Sequence, residues 1–159
     1  PGVGSFGASM KKINENIPID FFKEQILEIK KPFLGICVGM QVLADTGFEF
    51  GTHEGLGIIG GTISKLKTKK MPLPHIGWNE ISIQNESQLL NGLDDFNDFY
   101  FVHSYAFEAL DKRHSIAVTE YDVQFTSVVQ KENIYGVQFH PEKSQKTGQL
   151  LFKNFFSIS

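Results

Sequence analysis

A short apolar run, Pro32-Phe33-Leu34-Gly35-Ile36, ends on Cys37, and Gly35 and Gly39 flank that cysteine two residues away on either side. The residues before Cys37 read as a buried strand, Phe33 to Ile36, and those after it, Met40 to Asp45, as a helix. A strand that turns sharply into a helix crowds its own backbone, and small neighbours relieve the crowding. Such a turn predicts a side chain displayed at the C-terminal edge of a sheet, where α/β proteins place their chemistry. It also puts the sulfur at a helix N-terminus, whose partial positive charge favours thiolate over thiol. Cys37 is the only cysteine in the chain. On this segment alone, an inert packing residue and a nucleophile are about equally good readings.

A second segment shifts the balance. Tyr135-Gly136-Val137-Gln138-Phe139 alternates as a strand does, and His140-Pro141-Glu142 follows at its end. Pro141 stops the ladder. A carboxylate at Glu142 is close enough in sequence to accept a hydrogen bond from His140, which would fix the imidazole tautomer and favour the imidazolium. Nucleophile, base and orienting acid are then all present as Cys37, His140 and Glu142. His103 is a rival base, but it lies in an apolar, aromatic run and has no adjacent carboxylate, so it reads as a packed histidine. His53, His75 and His114 have no comparable setting, and no spacing of histidines and cysteine suggests a metal site.

Pro1-Gly2-Val3-Gly4, Gly35-Ile36-Cys37-Val38-Gly39-Met40-Gln41 and His140-Pro141-Glu142, in this order, resemble the class I (triad) glutamine amidotransferases. Pro74-His75-Ile76-Gly77-Trp78-Asn79 and Tyr100-Phe101-Val102-His103-Ser104-Tyr105 look like the glutaminase subunits of imidazole glycerol phosphate synthase, an enzyme of histidine biosynthesis. The resemblance implies an α/β, flavodoxin-like fold with a central mixed, mostly parallel sheet flanked by helices. It implies attack of Cys37 on the side-chain amide of glutamine, with His140 as acid and base and Glu142 orienting it. An oxyanion hole would come from Val38 and the Gly2-Val3-Gly4 strand. The glutamine substrate would meet Gly39, with Gln41 and Glu49 at its amino end and Ser104 and Tyr105, through backbone groups, at its carboxylate. Gln41 follows Cys37 by one helical turn and so faces the same side. Trp78, Tyr100 and Lys143 match positions near the face that meets a (β/α)8-barrel synthase subunit, although a tryptophan in an amphipathic strand is as readily a core residue. No cofactor is implied.

The 159 residues suit one domain with a sizeable core. A net charge of −3 argues against a nucleic-acid partner. The basic run Lys65 to Lys70 reads most simply as a solvated connection. A single cysteine excludes an internal disulfide and suits a reducing cytoplasm, and no apolar run is long enough to span a bilayer. A helix is expected over about Phe21 to Lys31 with Asp20 as cap and Phe22, Ile26 and Ile29 on one face. Further strands are expected at Ile58-Ile59, Thr62 to Leu66, Trp78 to Ile83, Phe99 to Phe107, Ser115 to Glu120, Phe125 to Gln130 and Ile134 to Phe139, the last two as a hairpin about Glu132-Asn133. A short helix is expected at Ser87 to Leu90, and a final one at Gln145 to Phe156 burying Leu151, Phe152, Phe155 and Phe156. The chain begins directly in a motif, so it reads as a single amidotransferase domain lacking the N-terminal strand and helix of the resembled family. Two other readings compete with a histidine-pathway glutaminase. One is a paralogue feeding a sugar amidotransferase for surface polysaccharide, and the other is a non-catalytic binding module on the same frame.

Overall fold

In a computed structural model that describes residues 1–93 and 97–158, the chain wraps helices around both faces of one mixed sheet. In chain order the helices are α1 (Phe6–Asn16), α2 (Ile19–Lys23, continued by a π-helical turn over Glu24–Glu28), α3 (Val38–Gln41) and α4 (Gln145–Phe156). The strands are β1 (Phe33–Ile36), β2 (Thr46–Gly47), β3 (His53–Glu54), β4 (Gly61–Lys65), β5 (His75–Glu80), β6 (Ser82–Ile83), β7 (Asp98–His103), β8 (Tyr105–Ala109), β9 (Ser115–Tyr121), β10 (Val123–Lys131) and β11 (Ile134–Val137). The main sheet runs β1-β11-β10-β8-β4-β2-β3, with β9 added on β10 and β6 on β9; β5 and β7 form a separate two-stranded ribbon. The α/β class and the mixed sheet are as expected, but the balance within the sheet is not. Among the described strands only β1–β11 and β2–β4 pair in parallel. Parallel neighbours need a long crossover, whereas β9, β10 and β11 are joined by turns of one or two residues that permit only antiparallel hairpins.

Period-2 alternation sends successive side chains of the central strands to opposite layers. Ile134 and Val129 face a core with Phe6, Met10, Met40, Leu43 and Ile63, under α1, α2 and α3. Tyr135, Val137 and Val128 face a second core with Phe99, Phe101, Phe139, Ile116 and Leu151, under α4 and the ribbon. Phe99 and Phe139 stack there with ring centroids 3.9 Å apart.

Local departures have local causes. The expected helix at Phe21 begins earlier, at Ile19, and passes into a π-turn in which Ile29 N–H reaches the Glu24 carbonyl. The additional residue in that turn rotates Ile29 off the buried face, while Ile26 stays in it. α1, capped by the Ser5 hydroxyl on Ala8 N–H, is a helix the sequence reading passed over. The helix after Cys37 starts at Val38 and ends at Gln41, and Ile58-Ile59 is a bend. The single strand expected over Phe99 to Phe107 breaks at Ser104, where the chain leaves the ribbon for the main sheet. α4 has the expected bounds, but Phe156 is 79% exposed while Gly148 and Leu151 face inward.

Two glycines set close backbone approaches. A Cβ on Gly35 would lie 2.4 Å from the Gly39 carbonyl oxygen and 2.8 Å from Met40 N, so β1 meets the first turn of α3 without room for a methyl. A Cβ on Gly148 would lie 1.9 Å from the Pro141 carbonyl, which fixes how α4 follows the His140 segment. Gly35→Ala and Gly148→Ala are each expected to destabilise the fold by about 1–3 kcal/mol through overpacking, measured by urea unfolding. An unchanged midpoint in either variant would contradict that close approach.

Candidate active site

Cys37 leaves the end of β1 with φ 55° and ψ −114°, a conformation that costs an L-residue roughly 1–3 kcal/mol. Its neighbours hold it there. Cys37 N–H donates to the Val137 carbonyl at 2.8 Å, and the Cys37 carbonyl accepts from Met40 and Gln41 N–H at 3.0 and 3.2 Å. The strained elbow expected between strand and helix is therefore present, with the sulfur-bearing residue only 8% exposed.

β11 runs parallel to β1 with Val137 opposite Ile36, so the two chains leave adjacent strands at the same end of the sheet. His140 follows β11, its N–H bonded to the Tyr100 carbonyl at 2.8 Å and its side chain buried. His140 Nδ1 lies 2.7 Å from Glu142 Oε1. A carboxylate accepts, so the contact places the proton on Nδ1, and in the neutral ring Nε2 is then the nitrogen with the lone pair. Nε2 is buried and makes no hydrogen bond among the described residues. His103 differs: its Nδ1 donates to the Tyr105 carbonyl at 2.9 Å and its Nε2 faces His75 Nδ1 at 3.1 Å. Both ring nitrogens of His103 are engaged, whereas His140 Nε2 has no partner among the described residues.

The helix N-terminus does not make Cys37 a resting thiolate, contrary to the sequence expectation. Burial pushes the thiol up to about 11, outweighing the Val38 backbone N–H and the Lys143 charge that pull it down. The Glu142 and Glu49 charges add to the rise. The sulfur faces the Val102 carbonyl at 3.9 Å and the Gln138 side-chain amide nitrogen at 3.8 Å.

The remaining expected residues distribute as follows. Gly2 forms a parallel bridge with Cys37, which lays the Gly2-Val3-Gly4 segment beside that residue. Gly4 has φ 126°, open to glycine, and Val3 is 82% exposed. Val38 N–H is adjacent to the sulfur, and the space beside the Gly39 Cα is open to 4 Å. Glu49 Oε2 accepts Phe6 N–H at 2.7 Å, so it anchors the first turn of α1 just beyond the Gly2-Val3-Gly4 strand. Gln41 is buried, its Nε2 donating to the Tyr105 carbonyl at 3.1 Å and to Gln138 Oε1 at 3.0 Å. Ser104 is the break between β7 and β8, and its carbonyl accepts Leu66 N–H. The Tyr105 carbonyl takes two donors, Gln41 Nε2 and His103 Nδ1. Trp78, Tyr100 and Lys143 are contiguous: Trp78 pairs with Tyr100 across the ribbon, and Lys143 Nζ lies 5.7 Å over the Tyr100 ring. Trp78 is 47% exposed, so it is a surface residue rather than a core one.

Three polar residues near the site were not singled out from sequence. Gln138 is fully buried against the sulfur. His75 continues the His103 contact to Asn79, whose Nδ2 donates to the Glu120 carbonyl at 2.9 Å. The signal for Gln138 was present as a polar residue inside an alternating apolar strand end.

The glutamine amidotransferase class-I family model matches residues 1–158. The chain is 45% identical over 159 residues to imidazole glycerol phosphate synthase subunit HisH 1 of Campylobacter jejuni strain RM1221, covering 99% of this chain and 79% of that protein. It is 43% identical to imidazole glycerol phosphate synthase subunit HisH of Aquifex aeolicus, covering 98% of this chain and 74% of that protein. Among solved structures, a glutamine amidotransferase from Thermotoga maritima superposes with a TM-score of 0.65 at 19% identity, covering 98% of this chain and 59% of that one, a likeness of fold.

Burial holds His75 at about 4 and His103 at about 3, both below the ordinary 6.5. The unfolded chain therefore binds protons between about pH 6.5 and 4 that the folded chain refuses, and stability falls as pH falls through that window. The loss is about 1.4 kcal/mol per pH unit for each histidine. Urea unfolding across this window is expected to weaken steeply with acid, and His75→Phe, which stacks on Phe101 and Tyr121 as His75 does, is expected to flatten the dependence. A wild-type profile with no acid loss above pH 4 would refute the neutral histidine pair.

Proposed function

The chain belongs to the class-I glutamine amidotransferase family, and from that premise we propose that it is the glutaminase subunit of imidazole glycerol phosphate synthase. It hydrolyses glutamine to glutamate and ammonia and passes the ammonia to a (β/α)8-barrel synthase subunit that makes imidazole glycerol phosphate and AICAR in histidine biosynthesis. The carrying observation is the buried, unpartnered Nε2 of His140, oriented by Glu142, at the same sheet end as the strained Cys37.

The chemistry follows from that geometry. Because burial keeps Cys37 protonated at rest, proton transfer to His140 Nε2 accompanies attack rather than preceding it. The sulfur bonds to the amide carbon of glutamine, and the carbonyl oxygen takes the negative charge. Val38 N–H and the N–H groups of the Gly2-Val3-Gly4 strand stabilise that oxyanion. His140 then protonates the leaving nitrogen, the C–N bond breaks, and ammonia departs from a γ-glutamyl thioester. Water, deprotonated by the same Nε2, hydrolyses the thioester to glutamate and restores the thiol. Gly39, Gln41, Glu49, Ser104 and Tyr105 surround the amino and carboxylate ends of the substrate. Free ammonia is protonated and lost in water, so its exit is covered by the partner. The half-exposed Trp78, Tyr100 and Lys143 form that docking face, one backbone hydrogen bond away from His140. The subunit works in the cytoplasm.

Glutamate release by the full-length chain tests this reading. Cys37→Ala is expected to reduce turnover to background. Glu142→Gln is expected to lower kcat about a hundredfold or more by removing the charge that orients His140. Turnover should rise when the barrel synthase and its imidazole-pathway nucleotide are added. Cys37-dependent turnover indifferent to that synthase would assign the ammonia to another acceptor, and no turnover under any condition would overturn the glutaminase reading.

A further inference from the structure

We propose that Gln138 is a positioning residue for the nucleophile: its side-chain N–H is held against the Cys37 sulfur by an oriented clamp of hydrogen bonds and stabilises the sulfur as it gains negative charge. The inference rests on Cys37 acting as the nucleophile.

The orientation of the Gln138 amide follows from its partners. The Tyr105 carbonyl can only accept, so the nitrogen of Gln41, 3.1 Å away, must face it as a donor. That same nitrogen lies 3.0 Å from Gln138 Oε1, which must then be the acceptor. Gln138 Nε2 is thereby turned to Cys37 Sγ at 3.8 Å. A flipped amide would set one NH2 group against another and an oxygen against the sulfur. The Tyr105 carbonyl is itself held by His103 Nδ1, His103 Nε2 by His75 Nδ1, and His75 by Asn79, which is anchored on the Glu120 carbonyl. Every link has one possible donor direction, so the N–H at the sulfur is placed before any substrate arrives. Gln138 has no exposed surface, and an amide buried this deeply is held for the bonds it makes.

The sulfur has opposing neighbours. The Val102 carbonyl accepts from the thiol and favours the protonated form, whereas Gln138 and Val38 N–H favour the charged form. The charged groups that act on the sulfur are Glu142 and Lys143 from the segment after β11, and Glu49 from the loop after β2. None is altered by changing Gln138. In a buried site a fixed donor counts for more than the same donor in water, because nothing must reorganise when charge appears.

The test compares Gln138→Met, which removes the donor at similar volume, with Gln138→Glu, which keeps the acceptor for Gln41 but turns an oxygen toward the sulfur. Alkylation of Cys37 by iodoacetamide at a fixed pH near 8 reports the thiolate fraction without needing turnover, and Cys37 is the only cysteine in the chain. The alkylation rate and kcat for glutamine are each expected to fall roughly tenfold or more in Gln138→Met, and further in Gln138→Glu, with KM changed less than about threefold. A folded variant with an unchanged alkylation rate, or one whose loss lies in KM alone, would overturn the proposal. If neither variant folds by circular dichroism, the side-chain amide resonance of Gln138 in the unsubstituted protein decides: it must shift in Cys37→Ala, and an indifferent resonance overturns the proposal. Normal alkylation of a wild-type chain that releases no glutamate would count against the glutaminase reading alone.

Discussion

The parallel pairing of β1 with β11 is the constraint on which the site depends. Its register sets Ile36 beside Val137, so the next residues on each strand, Cys37 and Gln138, emerge together although they are far apart in sequence. The bond from Cys37 N–H to the Val137 carbonyl continues the ladder one residue beyond β1 and holds the strained elbow in place. His140 follows within three residues and is fastened by its own backbone to β7. A one-residue slip would turn the sulfur and the imidazole to opposite faces of the sheet. Both hydrophobic cores press on this pair of strands, one from the side of Met40 and Ile134, the other from that of Val137 and Phe139.

The site is completed where two sheets meet. β7 belongs to the ribbon and β8 to the main sheet, and the break at Ser104 brings the Val102 and Tyr105 carbonyls to the Cys37 sulfur and to Gln41. The corner is buried, which raises the thiol and lowers His75 and His103 for one shared reason: each charged form loses its water. Polar groups survive there because they are linked, from the Glu120 carbonyl through Asn79, His75, His103, Tyr105, Gln41 and Gln138 to the sulfur.

Much of this was legible in the residues. The Gly35-to-Gly39 spacing announced the elbow because a strand-to-helix turn has no room for larger neighbours, and the Gly35 contact with the Gly39 carbonyl shows that crowding. His140-Pro141-Glu142 announced the imidazole–carboxylate contact because the two side chains are close in sequence. The α4 bounds were legible from their apolar spacing and the β10–β11 hairpin from its turn residues. Less legible were the π-turn that takes Ile29 out of the core, the start of α1 at Ser5, and the split at Ser104. Each is a choice between locally similar backbones that distant packing decides.

The sequence by itself determined the residue types of the chemistry and the local turns that display them, because backbone crowding, tautomer control by a nearby carboxylate and strand alternation act over a few residues. Only the tertiary structure decided which histidine is free and which is occupied, that the resting sulfur is a thiol, and that Gln138 faces it. Those properties depend on burial and on partners contributed by separate strands. Solvent exclusion and the direction of a hydrogen bond are set by what the folded chain brings together, and a linear spacing carries neither.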